Sequence, residues 1–172
     1  VAKFFHIRRF ISETTALKLY YAHVYSHLIF MNSIWSVAPK YLIESLGVIQ
    51  RRALRTVYMK DRLCHNVELF NENVLPLSAV ITFHENLILF KMLNNLLKNN
   101  IPLIQANAIH FHNTRRNQHL ISYNTNTALA QNNFYFRSVR SFNALPNYVK
   151  TFNSIGLFKK RLKEYLADTV AN

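Results

Sequence analysis

The sequence predicts a mainly α protein, a helical bundle of about five helices. Three observations carry this. Half of the 172 residues are hydrophobic, so a sizeable core can form. Only two glycines and four prolines occur, too few for an all-β chain built on tight turns. Apolar residues recur at three- and four-residue steps over long stretches, the period of an amphipathic helix. A small β-pair near residues 119–136 stays open. The length suits one domain, taken as residues 1–172.

The first helix is predicted from about Thr14 to Trp35. Leu17, Tyr20, Tyr21, Val24, Leu28, Met31 and Trp35 make its stripe, and Ser12 or Thr14 could cap it. Trp35 reads as a core residue closing that stripe. Pro39 suits the first position of a second helix running to about Tyr58. Its inner face is expected to be Leu42, Leu46, Ile49, Ala53 and Val57. That places Arg51 and Arg55 nearly opposite the core and Arg52 on the flank. The short connection favours an antiparallel pair.

A turn or short helix is expected over 65–73. Leu75-Pro76-Leu77 then leads into a third helix, about Ser78 to Lys98, apolar on most sides and therefore central. Asn99-Asn100-Ile101-Pro102 should end it. Residues 103–133 show no clean period. His119–Tyr123 and Phe134–Phe136 could be short strands. A helix is predicted from Arg137 to Leu145, stopped by Pro146. The last starts near Ser154 with Ile155, Phe158, Leu162, Tyr165 and Leu166 inward, leaving Lys160 and Lys163 outside.

Charge is the strongest bulk signal. Lys and Arg total 21 against 8 Asp and Glu, a formal +13. Such a field attracts polyanions, with nucleic acid the first candidate. An anionic membrane surface, a solvated basic exterior and an acidic neighbouring domain are the other readings. No apolar run approaches the roughly 18 residues a membrane span needs. The single cysteine, Cys64, excludes an internal disulfide and reads as a small buried hydrophobe. The chain opens at Val1, and a fragment of a longer protein is expected.

Catalytic constellations are missing from the sequence. A polymerase needs clustered carboxylates for two metal ions. Asp61 and Asp168 are the only aspartates, far apart, and the six glutamates show no grouping. His23 and His27 lie four apart, a spacing that can bind zinc, but packed or solvated histidines are favoured because no third ligand is near. His110-x-His112 and Cys64-His65 are weaker still. Basic clusters remain: Arg8-Arg9, Arg51, Arg52 and Arg55, Lys60 and Arg62, Arg115-Arg116, Arg137 and Arg140, and Lys159-Lys160-Arg161. Arg51, Arg52, Arg55, Arg62, Lys160 and Lys163 are the candidate nucleic-acid contacts, suited to phosphates rather than base edges.

Motif order carries a resemblance. Leu17-Lys18-Leu19-Tyr20-Tyr21-Ala22, Ser26-His27-Leu28-Ile29-Phe30 and Ile34-Trp35 are followed by Leu46-x-x-Ile49-Gln50-Arg51-Arg52-Ala53-Leu54-Arg55. Leu75-Pro76-Leu77, Phe90-Lys91-Met92-Leu93-Asn94, His112-Asn113-Thr114-Arg115 and Phe142-Asn143-x-Leu145-Pro146 come next, and the helix from Phe158 to Leu166 closes the series. Together these resemble the region after the polymerase fold in jockey-like non-LTR retrotransposon reverse transcriptases. Ser26, Ser36 and Phe142 stand where the family pattern has Pro, Gly and Trp.

The resemblance implies a thumb-like and post-thumb segment beside an RNA/DNA template–primer duplex. The catalytic aspartates and their Mg²⁺ would belong to an upstream polymerase domain of the same polypeptide. The segment would have no cofactor of its own, no catalytic residue and no membrane partner. The parent element protein would be nuclear and cytoplasmic. The alternative is a decayed or domesticated helical interaction protein with no nucleic-acid role.

Overall fold

A computed structural model describes residues 6–71, 73–98, 103–109, 119–122, 125–151 and 154–171. The protein is mainly α-helical. Among the described residues, five helices are eight residues or longer: α1 (Glu13–Tyr20), α2 (Lys40–Tyr58), α3 (Leu77–Leu93), α4 (Phe134–Ala144) and α5 (Ile155–Ala171). The chain divides into two compact units, Val1–Ile81 with Lys163–Asn172, and Thr82–Leu162.

In the first unit Ser12 caps α1, its hydroxyl accepting the Thr15 N–H at 3.3 Å. The helix then widens into a π turn over Tyr21–Tyr25 and resumes over Ser26–Ile29. It does not run unbroken to Trp35 as the periodicity suggested. Phe30 turns extended, Met31 adopts a left-handed φ of 50°, and a separate short helix covers Asn32–Trp35. The Trp35 indole N–H donates to the Phe30 carbonyl at 2.8 Å, satisfying an acceptor that the helix break leaves open. No Gly or Pro marks the break, so periodicity carried straight through it.

The helical stretch from α1 to Ile29 runs antiparallel to α2, the pairing expected of the first two helices. Ala16 and Tyr20 share a core cluster with Ala53, Leu54 and Val57, while Val24 and Leu28 meet Ile43 and Leu46 near the other end. Pro39 sits one place before α2, as its cap. The inner face of α2 is not the expected one. Leu42 and Ile49 are exposed, and the buried residues are Gly47, Gln50, Ala53, Leu54 and Val57. At about 100° per residue the buried face is rotated by roughly 60° from the purely apolar stripe. Gln50 is the cause. Its amide donates to Tyr20 Oη at 3.1 Å and to the Leu75 carbonyl at 2.9 Å, and its Oε1 accepts the Leu77 N–H at 2.8 Å. A buried amide with that many partners belongs in the core.

In the second unit the Phe90 ring stacks on Phe158 at 4.1 Å, with Phe142 tilted against the same ring. α4 begins at Phe134, so Phe134–Phe136 is helical and not a strand. Tyr135, Ser138, Val139 and Phe142 are its buried side, a helical period that the aromatic run at its start concealed. Among the described residues near the expected β-pair, an isolated antiparallel bridge forms between Gln105 and Leu120. Asn143 pins it, accepting the Leu120 N–H and donating to the Leu120 carbonyl, both at 2.9 Å. α3 stops at Leu93, earlier than predicted, with Asn95 in a left-handed conformation after it. The Asn99–Pro102 stop signal lies outside the described residues.

Candidate nucleic-acid interface

α2 carries three arginines on consecutive outer turns, and its rotation decides what each can do. Arg52 is exposed, while Arg51 and Arg55 are half-buried. The sequence reading had this reversed, with Arg51 and Arg55 outermost, because it took Leu42 and Ile49 as inward. Arg55 is partly committed to the fold, donating to the Cys64 carbonyl at 3.2 Å.

These three arginines form one wall of a basin of about 970 Å³ in the first unit. Arg8 and Arg9 enter it from the short 3-10 turn Arg8–Phe10, and Lys60 and Arg62 from the segment after α2. Val48, Thr56 and Met59 complete the lining. Seven of the ten lining residues are cationic and none is acidic. Arg51, Arg52, Arg55 and Arg62, four of the six candidate contacts, thus line one basin, and Arg8 and Arg9, read only as a basic doublet, join them.

The basin differs from a merely solvated basic face in how its charges are held. Arg8 is buried, and its Nε and Nη2 both donate to the Val57 carbonyl, at 2.9 and 2.7 Å. Val57 lies in the last turn of α2, where carbonyls lack helical partners and the helix dipole favours a cation. Arg8 is therefore the C-terminal cap of α2, and it fixes the doublet against the helix that carries the other arginines. Lys60 forms an ion pair with Glu68 Oε2 at 2.8 Å. That hydrogen bond holds the Glu68 carboxyl below its usual range and raises the Lys60 ammonium. Asp61 turns its carboxylate onto the Arg62 backbone N–H. Arg9, Arg51, Arg52 and Arg62 make no side-chain ion pair with a described residue.

Lys160 and Lys163 do not belong to this group. They lie on α5, Lys160 exposed and Lys163 half-buried, and line no part of the basin. Arg137 is engaged in the second unit, where it pairs with the buried carboxylate of Glu85. Arg140 is exposed. Arg115-Arg116 and the His112–Arg115 motif lie outside the described residues, as does His110. Cys64 is half-buried rather than fully enclosed, its thiol donating to Glu68 Oε2 at 3.3 Å; desolvation, then Glu68, raises its pKa. His23 and His27 are both exposed. Among the described residues no three His, Cys, Asp or Glu side chains gather as a metal site. No helix among them is long and apolar enough to cross a membrane.

A concave surface with this donor set can hold phosphate oxygens from several sides. Guanidinium forks match phosphate geometry, and the absence of lining carboxylates leaves the positive potential uncancelled. No family model matches the chain, and no similar curated protein or solved structure was found.

Proposed function

We propose that this chain is a non-catalytic, basic nucleic-acid-binding segment that grips the sugar–phosphate backbone of a duplex through the arginine basin of its first unit. The observation that carries this reading is the basin itself, with seven cationic residues among ten and no acid. Two stretches distant in sequence, residues 8–9 and 48–62, converge there, which incidental surface charge does not require. Phosphate contacts of this kind supply affinity and position without reading bases.

The motif series extends the proposal to context. The segment is the post-polymerase region of a jockey-like non-LTR reverse transcriptase, and its ligand is the RNA/DNA template–primer duplex. Its partner in the same polypeptide is the polymerase domain, which holds the catalytic aspartates and Mg²⁺. The Ile49–Arg55 motif behaves as a structural unit, because Gln50, Ala53 and Leu54 turn into the core while Arg51 and Arg52 line the basin.

The test is fluorescence anisotropy of a labelled RNA/DNA hybrid with the whole chain at several salt concentrations. The expected result is sequence-tolerant binding whose affinity falls steeply with salt. No binding at low salt to hybrid or DNA duplex refutes the reading. Primer extension with Mg²⁺ on a poly(A) template should give no product above a no-enzyme control.

A further inference from the structure

Arg8 combines two properties that rarely coincide. It is only 8% exposed, yet it lines an open basin. A buried guanidinium needs its donors satisfied and its charge offset. The protein does this by half. Nε and Nη2, along one edge of the fork, are spent on the Val57 carbonyl. Nη1 is closed off from solvent and has no hydrogen-bond partner among the described residues, so an oxygen that reaches it must part the side chains over it. The other fork edge, formed by Nη1 and the second hydrogen of Nη2, is the edge that binds two oxygens of a phosphate at once. No carboxylate lines the basin to offset the charge.

We infer that Arg8 is the floor of a discrete phosphate seat, in which one phosphodiester of a nucleic-acid backbone takes two hydrogen bonds from the fork edge that carries Nη1. Arg51 and Arg52, farther along the wall that α2 forms, meet other phosphates of the same backbone. This rests on the phosphate-facing reading of the basin and goes beyond it, since a backbone-tracking face needs only exposed cations. The seat also joins binding to architecture. The guanidinium that would hold the phosphate is the one that caps α2, so an occupied seat and a docked Arg8–Phe10 turn stabilise each other. The charge on Arg8 is held rigidly, with less side-chain freedom to lose than a surface arginine has.

The experiment is NMR of the whole chain labelled with ¹⁵N-arginine, following the guanidinium signals as a short RNA/DNA hybrid is added. Signals are assigned with the single variants Arg8→Lys, Arg51→Lys and Arg52→Lys. Saturable shifts of Arg8 together with Arg51 and Arg52 are expected. Shifts of Arg51 and Arg52 with Arg8 unmoved overturn the seat but leave nucleic-acid binding standing. No shift in any of the three overturns both. Phosphatidylserine vesicles in place of the hybrid test the other source of phosphodiesters; a response to vesicles and none to the hybrid overturns the assignment to nucleic acid. Arg8→Lys retains a donor for Val57 but loses the second fork edge, so it should weaken hybrid binding about tenfold, the scale of a charged hydrogen bond. Arg140→Lys, a matched change at an exposed residue outside the basin, should bind as the unaltered chain does. Equal affinity for all three proteins also overturns the seat.

Discussion

Gln50 donates to the hydroxyl of Tyr20 at 3.1 Å, so a carboxamide, set within the apolar cluster, ties together the two long helical stretches at the start of the chain. The same side chain holds both Leu75 and Leu77 across the turn that begins α3. Tyr20 is fully buried, and desolvation raises its phenol pKa well above the ordinary value despite the Gln50 hydrogen bond. Three parts of the first unit therefore depend on one polar residue.

Replacing it with an apolar residue of similar size should expose that dependence. Each buried group left without a partner costs about 1–3 kcal/mol. Gln50→Leu strands the Tyr20 hydroxyl and the Leu77 N–H, so a loss of about 2–4 kcal/mol is expected in urea unfolding. Gln50→Leu with unchanged stability would show that water reaches this site and replaces the amide.

Trp35 should behave as a packing residue and not as a base-stacking platform. It is half-buried against Leu28, Leu77 and Ile81, and its N–H is already bound to Phe30. Trp35→Ala should cost about 2–4 kcal/mol, somewhat under the range for a fully enclosed aromatic. Hybrid affinity measured below the unfolding transition should not change. Weaker binding at unchanged thermal stability would contradict the assignment.

His84 gives the second unit a pH dependence. Burial first, then Lys159 and Lys91, pushes its imidazole below the ordinary value of 6.5. The unfolded chain therefore takes up this proton at a higher pH than the folded one does. Stability is fully present at neutral pH and declines as pH falls through 6.5, levelling only below the folded value. The Lys60–Glu68 pair acts in a lower window, because the Glu68 carboxyl is held below its ordinary value of 4.5. Between pH 7.5 and about 5.5 the melting temperature should fall, and His84→Gln should flatten that dependence. An equal fall in the variant assigns the effect elsewhere.

The helices were legible because their apolar stripes are long, and the first two helical stretches pair antiparallel as expected, with residues 30–39 as the link. What failed to read did so for identifiable reasons. Gln50 is polar, so periodicity alone assigned it to the surface and drew Leu42 and Ile49 inward in its place. The turn at Phe30–Met31 uses a left-handed methionine, and Met59 ends α2 the same way, with no glycine to announce either. Phe134–Phe136 is strand-like in composition, but its helical stripe becomes visible only from Ser138 onward. At the candidate interface, Arg51, Arg52, Arg55 and Arg62 were legible as a local cluster. The role of Arg8 was not, since it depends on a contact 49 residues away with Val57.

The rotation of α2 alters which arginines test the function cleanly. Arg55 donates to the Cys64 carbonyl, so reversing its charge disturbs the fold as well as the basin. Arg51 and Arg52 line the basin without a described ion pair. The double variant Arg51→Glu, Arg52→Glu should therefore keep its helix content and lose hybrid affinity. It should lose it to a similar extent on different sequences, because phosphate contacts carry no base information. Two effects then separate. Removing phosphate contacts flattens the log–log salt dependence by about 0.7–0.9 per contact. Simple loss of net charge, with no contacts in the basin, weakens binding equally when two exposed cations outside it are reversed. Lys159→Glu, Lys160→Glu is that control, matched in charge and lying on α5. Anisotropy titrations of the three proteins across salt should show the flattened slope only for the α2 pair. Identical slopes and affinities for the two double variants would mean that the basin is no more than part of a diffuse positive field.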